Sequence, residues 1–352
     1  MTATFEPCRL YLGTEDGLRT VRASEAGLEV VTEGLDGNAV RAIDVSPENP
    51  DDVLVGCGLR GWGLHRTTDG GRTFRSIGFD EEWVWGICRH PSNPATVYVG
   101  TEPPMLYRST DDGETFRALE HIDDVPSRDD WTFFHEPFYT GHIHGIAIHP
   151  DRPERIFAGV EHGAVIYSRD GGSTWHETLV GSDVHRVEIH PDEPDRVFVA
   201  TGAGLYRSDD AGESWTSVPD LRGKYLHAIV FETSDGSNSS ATGRMYVYAD
   251  RDGTPVYRSD GGGERDAVPR ASSERRSGGG KSWESAGDGL PAASPADPLR
   301  LHPENPNIVF YLGDTDEGRS QLFVSNDAGE SWQELGTPFP KVWRLETVPD
   351  PR

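Results

Sequence analysis

Five octapeptides of one form, S/T-x-D-x-G-x-S/T-W/F, recur along the chain: TTDGGRTF at 67–74, STDDGETF at 109–116, SRDGGSTW at 168–175, SDDAGESW at 208–215 and SNDAGESW at 325–332. Each follows two short apolar stretches, as in HPDEPDRVFVATGAGLYRSDDAGESW at 190–215, which reads turn, strand, Gly turn, strand, acidic hairpin. A motif that returns in register with its flanking strands requires a repeat architecture, because one such unit cannot bury its own apolar faces.

Aligning the chain on the hairpin and on the preceding HP- or SP-type turn gives a four-strand cycle. Complete cycles fall at about 40–78, 84–120, 142–179, 183–219, 225–286 and 297–336, and a seventh unit combines 8–33 with 341–352. In the 225–286 cycle two polar, Gly/Ser-rich insertions interrupt the strands, at 234–243 and at 263–280, the second splitting the acidic hairpin. Four-stranded units near 40 residues predict an all-β fold, a seven-bladed β-propeller of antiparallel blades forming a single domain over 1–352. Pairing the N- and C-terminal strands closes the ring and removes the open edges of a linear array.

Within the hairpin, the third-position Asp is placed to accept backbone amides of its own turn, and the Gly supplies positive φ. The hydroxyl pins the turn and the Trp or Phe packs between sheets. A ring of equivalent turns has no reason to converge on one ligand, so the hairpins are folding elements. They resemble the Asp-box, or BNR repeat, of sialidases, xyloglucanase-type glycosidases, sortilin-type receptors and photosystem II assembly-factor propellers. That resemblance covers nearly the whole chain and implies the propeller fold while leaving the activity open. No segment matches the sialidase arginine triad, Tyr–Glu nucleophile pair and acid/base Asp, and a xyloglucanase-type cleft would need a second propeller.

The 352 residues carry 59 acidic and 33 basic side chains, a formal charge of −26, and only Lys224, Lys281 and Lys341 are lysines. This acidic, Lys-poor composition resembles proteins of salt-accumulating haloarchaea, and it disfavours nucleic acid and anionic membranes as partners. No apolar run approaches the length of a membrane span and no signal peptide is legible at the N-terminus. Three cysteines without CxxC spacing argue against a disulfide framework, and a reducing cytoplasm is the expected location.

Function is sought where the repeat breaks its own rule. One position near the start of each first strand holds Arg41, Trp85, His144, His185, His227, Asp297 and Trp343. His144, His185 and His227 in consecutive blades suggest a metal site for Zn²⁺ or a similar divalent ion, with Asp297 as a further ligand or as an orienting group. Without metal, the same groups and Glu102 and Glu161 of the neighbouring loops suit acid–base work. Arg60, Trp62, His142, His162, Asp250 and Asp314 are expected on the same rim. The aromatic-rich segment containing Trp131, His135 and Tyr139 is expected to form a wall or lid. By contrast, His90, His149, His190 and His302 belong to the turn at the other face.

Two readings follow. The pocket binds a polar small molecule or a glycan, with metal-dependent glycosidase- or lyase-like chemistry within reach of its acids and histidines. The alternative is a non-catalytic protein-interaction scaffold of the assembly-factor type, with a protein partner.

Overall fold

The computed structural model describes residues 5–133, 136, 140–232, 243–251, 253–260, 283–293 and 297–350. They form seven four-stranded antiparallel sheets. Blade 1 takes its inner strand from the C-terminal end: Val342–Pro349 pairs with Cys8–Thr14, Cys8 standing opposite Pro349. Blades 2 to 7 occupy 40–78, 83–118, 142–182, 184–217, 225–285 and 299–339 in chain order. Ring closure by the two ends of the chain is therefore as the repeat count predicts.

Second strands such as VLVGC (Val53–Cys57) and VFVAT (Val197–Thr201) are buried throughout. They read as continuous apolar runs because each lies between two neighbouring sheets. Among the described residues there are seven apolar clusters, one between each pair of adjacent blades. The blades approach closely enough to require glycine: a Cβ on Gly100 would lie 2.5 Å from the Ile143 carbonyl oxygen, and one on Gly159 2.5 Å from a Val184 methyl. Outer strands such as His176–Ser182 face solvent.

The acidic hairpin is a closed hydrogen-bond unit, the same in all five copies. In the 168–175 copy the Ser168 hydroxyl donates to Asp170 Oδ1 (2.8 Å) and accepts from the Gly172 amide (2.8 Å). Asp170 in turn accepts from the Thr174 amide (2.8 Å) and hydroxyl (2.7 Å). Every oxygen of the Asp is thus used inside the turn. The hairpin Trp reaches the preceding blade, as when Trp332 Nε1 donates to the Ala286 carbonyl (2.7 Å). The HP-turn histidines cap their own turns; His149 Nδ1 accepts from the amides of Asp151 (3.2 Å) and Arg152 (3.1 Å). In blade 6 Val256–Asp260 still pairs with Glu284–Ser285 across the split hairpin, while the insertions at 234–243 and 263–280 lie outside the described residues, apart from Gly243.

Candidate functional site at the channel mouth

The position singled out by the repeat is a structural irregularity in most blades. Register shifts fall between Val40 and Ala42, Val84 and Gly86, Ile143 and Gly145, Val184 and Arg186, and Leu226 and Ala228. The skipped residues are Arg41, Trp85, His144, His185 and His227, and in blade 1 Trp343 is skipped likewise. A β-bulge carries an unpaired residue and re-aims its side chain. Here it frees one side chain from strand pairing in each of six blades. The acids of the next loops lie at the same end, since Trp83 pairs with Glu102, His142 with Glu161 and Tyr225 with Asp250.

Three of these residues build a stack across blades 1 to 3. The Arg41 guanidinium lies 4.3 Å from the Trp343 ring and 4.5 Å from the Trp85 ring. Trp85 stacks at 3.9 Å on His142, which Phe133 covers at 5.8 Å. Cation–π attraction on both faces holds Arg41 in place. Burial pushes its pKa down to about 10, against the pull of the Glu161 carboxylate, so it stays charged at neutral pH. Among the described residues it has no ion-pair partner, and its Nη1 is buried without a hydrogen bond.

His142 sits between two carboxylates, with Nε2 2.8 Å from Glu161 Oε2 and Nδ1 3.4 Å from Glu102 Oε2. Burial opposes its protonation, but Glu161 and Glu102 outweigh that and raise its pKa. Glu161 is held well below the usual carboxylate range: burial would raise it, and the His142 cation prevails. His144 Nδ1 stands 3.7 Å from the same Glu161 oxygen, and burial lowers this imidazole to about 4, which keeps it neutral.

A second histidine group occupies blades 5 and 6. His185 Nδ1 is 2.6 Å from the Leu226 carbonyl, which can only accept, so Nδ1 carries hydrogen. Its Nε2 is 3.3 Å from Asp183, which also accepts from the Tyr225 hydroxyl at 2.5 Å. Burial works against a charged His185, and the Asp183 carboxylate raises its pKa nonetheless. His227 stacks on His185 at 4.1 Å; burial, then this neighbouring cation, drive its pKa well down.

Beyond the bulges the channel becomes a salt-bridge network around a cavity of 520 Å³ that runs from Trp85 and His144 to the turns at Pro47 and Pro349. Asp297 accepts both Nη atoms of Arg300 (2.7 and 2.8 Å) and one of Arg344 (2.5 Å). Glu346 engages the same two arginines, at 2.7 Å from Nη2 and 2.9 Å from Nε of each. Arg186 completes the set with Glu188 (2.6 Å).

The structure therefore rearranges the expected site. Asp297 is not beside the histidines: its amide bonds the Trp343 carbonyl and it forms a bridge with Arg344, so it joins the neighbouring blade and neutralises arginines there. The ligand atoms of His144, His185 and His227 do not converge; among the described residues the groups of donor atoms within 4.8 Å of one another are His142, His144, Glu161 and Glu161, His162, Asp183. Trp131 is no exposed wall. It is 2% exposed in the core between blades 3 and 4, its Nε1 donating to Ser127 Oγ (2.9 Å), because the long connection folds an apolar cluster of its own with Ile122 and Val125. His135 and Tyr139 lie outside the described residues. Trp62 is 49% exposed and leans on Trp83 at 5.5 Å, with Arg60 exposed beside it. His162 meets Phe133 edge-on at 4.2 Å. Asp250 pairs with Arg251 (3.2 Å) and Asp314 with Lys341.

Sequence reasoning passed over Arg186, Arg344, Glu188, Arg300 and Glu346. They stand one and three residues beyond the bulge position, where other blades have Gly86, Gly145 or Ala42 and Ala147. Extending the blade alignment by three residues would have found them.

A model of the BNR/Asp-box repeat matches residues 166–177. No curated protein matches the sequence. Among solved structures, YCF48 bound to D1 peptide superposes with a TM-score of 0.53 at 15% identity, over 95% of this chain and 87% of that one. An ancestral GH74 enzyme gives 0.58 at 13% identity, over 95% of this chain but 47% of its own, so the chain spans about half of that enzyme. A candidate 6-phosphogluconolactonase from Bacteroides fragilis gives 0.63 at 10% identity, over 99% of both chains. Identities this low establish the shared fold and no shared activity. With the five hairpins and the seven sheets, they make the chain a closed seven-bladed β-propeller that carries the BNR/Asp-box repeat.

Proposed function

We propose that the protein is a binding propeller that holds a carboxylate-bearing polar ligand, such as an acidic sugar, at the channel mouth. The observation that carries this reading is Arg41: a half-buried guanidinium between two indoles, whose buried Nη1 meets no hydrogen-bond partner among the described residues. A guanidinium offers a fixed fork of donors that fits a carboxylate, and leaving a buried donor unmet costs about 1–3 kcal/mol, which a ligand recovers. Exposed Trp62, resting on half-buried Trp83, adds an aromatic surface for a sugar ring. Binding is favoured over glycoside hydrolysis because the two carboxylates expected to do acid–base work, Glu102 and Glu161, are spent on one imidazole whose ring fills the space between them. An acid–base pair needs that space for the glycosidic oxygen or a water.

An acidic peptide end would satisfy Arg41 equally, and the YCF48 structure holds a peptide. The test is therefore calorimetric titration with glucuronate, with glucose as the neutral control, and with short peptides bearing free or amidated C-termini. Binding of an acid but not its neutral counterpart, weakened at least about tenfold in Arg41→Gln, is expected. Failure of every acid to bind, or equal binding by the variant, would overturn the reading.

A further inference from the structure

We infer that His142, His144 and Glu161 form a binding site for one divalent transition-metal ion of the Zn²⁺ or Co²⁺ type. All three come from one β-hairpin of blade 4. His142 and His144 lie two residues apart on the strand His142–Ile148, and Glu161 is the cross-strand partner of His142. Their ligand atoms share a vertex: Glu161 Oε2 is 2.8 Å from His142 Nε2 and 3.7 Å from His144 Nδ1. Two imidazoles and a carboxylate are the donor set that borderline divalent ions take, with a remaining position open to water or ligand. Donor–donor separations near 3.3 Å surround an ion bonded at about 2.0–2.1 Å; shifts of about half an ångström bring both Glu161 contacts to that spacing, and all three donor atoms already lie within 4.8 Å of one another.

Three further observations point the same way. His144 Nδ1 is buried without a hydrogen bond, aimed at the Glu161 oxygen across a gap too long for one. Glu102 stands behind His142 at its other ring nitrogen, 3.4 Å from Nδ1, which is the carboxylate–histidine arrangement that fixes a ligating ring. Trp85, stacked at 3.9 Å, fixes the plane of that ring. A net charge of −26 also draws cations toward the protein. The competing group Glu161, His162 and Asp183 is weaker. Asp183 already holds the Tyr225 hydroxyl at 2.5 Å and His185 at 3.3 Å, and His162 is half-exposed. The expected trio of histidines fails for a plainer reason: His185 and His227 present stacked faces to each other.

This inference does not depend on Arg41 taking a carboxylate, and its test uses metal alone. The full chain, purified without a polyhistidine tag and treated with chelator, is titrated with Co²⁺ by visible absorption and with Zn²⁺ by calorimetry. About one equivalent should bind with a ligand-field band of low coordination number. His144→Gln should weaken binding at least about tenfold, and Glu102→Gln about 10–100-fold through the ring it orients. His162→Gln and His227→Gln should leave it unchanged. Each variant's thermal melt shows whether it folds, and a folded His144→Gln decides the matter even where Glu161→Gln does not fold. Absence of binding at millimolar metal, undiminished binding by folded His144→Gln, or loss confined to His162→Gln overturns the assignment.

Discussion

Single residues at the mouth are defined by the charge they must accommodate. Glu102, His142 and Glu161 are 8%, 1% and 16% exposed at their side chains, so their mutual neutralisation takes place largely away from water. Removing one partner of such a buried group leaves uncompensated charge, which costs about 3–5 kcal/mol. His142→Ala should therefore lower the unfolding free energy in urea by that amount in metal-free protein. Adding Glu102→Gln and Glu161→Gln to the same chain should recover part of the loss, because the charges that suffered are gone; no recovery would mean that the loss is one of packing against Trp85. At this scale legibility was uneven. Glu102 and Glu161 were visible as acids of the loops on the rim, and His142 as a histidine outside the HP turns. The sandwich of Arg41 between Trp343 and Trp85 was not, because its parts come from three blades and only the closed ring brings residue 343 beside residue 41.

Elements of this fold carry their own instructions, and the acidic hairpin shows how. The Ser168 hydroxyl is 1% exposed and satisfies two amides and one carboxylate oxygen. Ser168→Ala should cost about 1–3 kcal/mol, read from a thermal or urea melt, with ligand and metal binding unaltered. Hydrogen bonds from the turn also lower Asp69, Asp111 and Asp170 to about 2 from an ordinary 3.8. A folded pKa below the unfolded one gives stability that is present above about pH 4 and is lost as pH falls toward 2. Tm should thus fall across that window, and Asp170→Asn should flatten the fall; an unchanged slope would show that the hairpins do not drive it. Because each copy closes on itself through neighbours in sequence, the hairpin was readable letter by letter. Trp131 was misread for the opposite reason. An aromatic-rich connection looks the same in sequence whether its rings cover a mouth or collapse on Ile122 and Val125, and only packing separates the two. Asp297 failed similarly: the inner strand of blade 7 begins only at Leu299, so the residue aligned with the bulges has no bulge to sit in.

At the scale of the whole molecule, seven interblade cores hold the ring while an excess of 26 negative charges pushes its surface apart. Screening length shrinks from about 10 Å at 0.1 M salt to about 3 Å at 1 M. Raising NaCl from about 0.1 to about 2 M should therefore raise Tm, and a flat or falling trend would show that repulsion is not limiting. Blade number was legible at this scale, since a seventh unit could be completed only from both ends. The bulge-lined channel was half legible, because side chains one and three residues further on belong to it as well. The same seam orders events in time. The strand that covers the inner edge of Cys8–Thr14, Val342–Pro349, is translated only after residues 15–341. Until then the first blade waits with one row of amides and carbonyls unpaired, a template for strands of other nascent chains. Arg344 and Glu346 arrive with that last strand, so the channel network cannot assemble before the ring is shut. A finished channel is thus a mark of a closed ring.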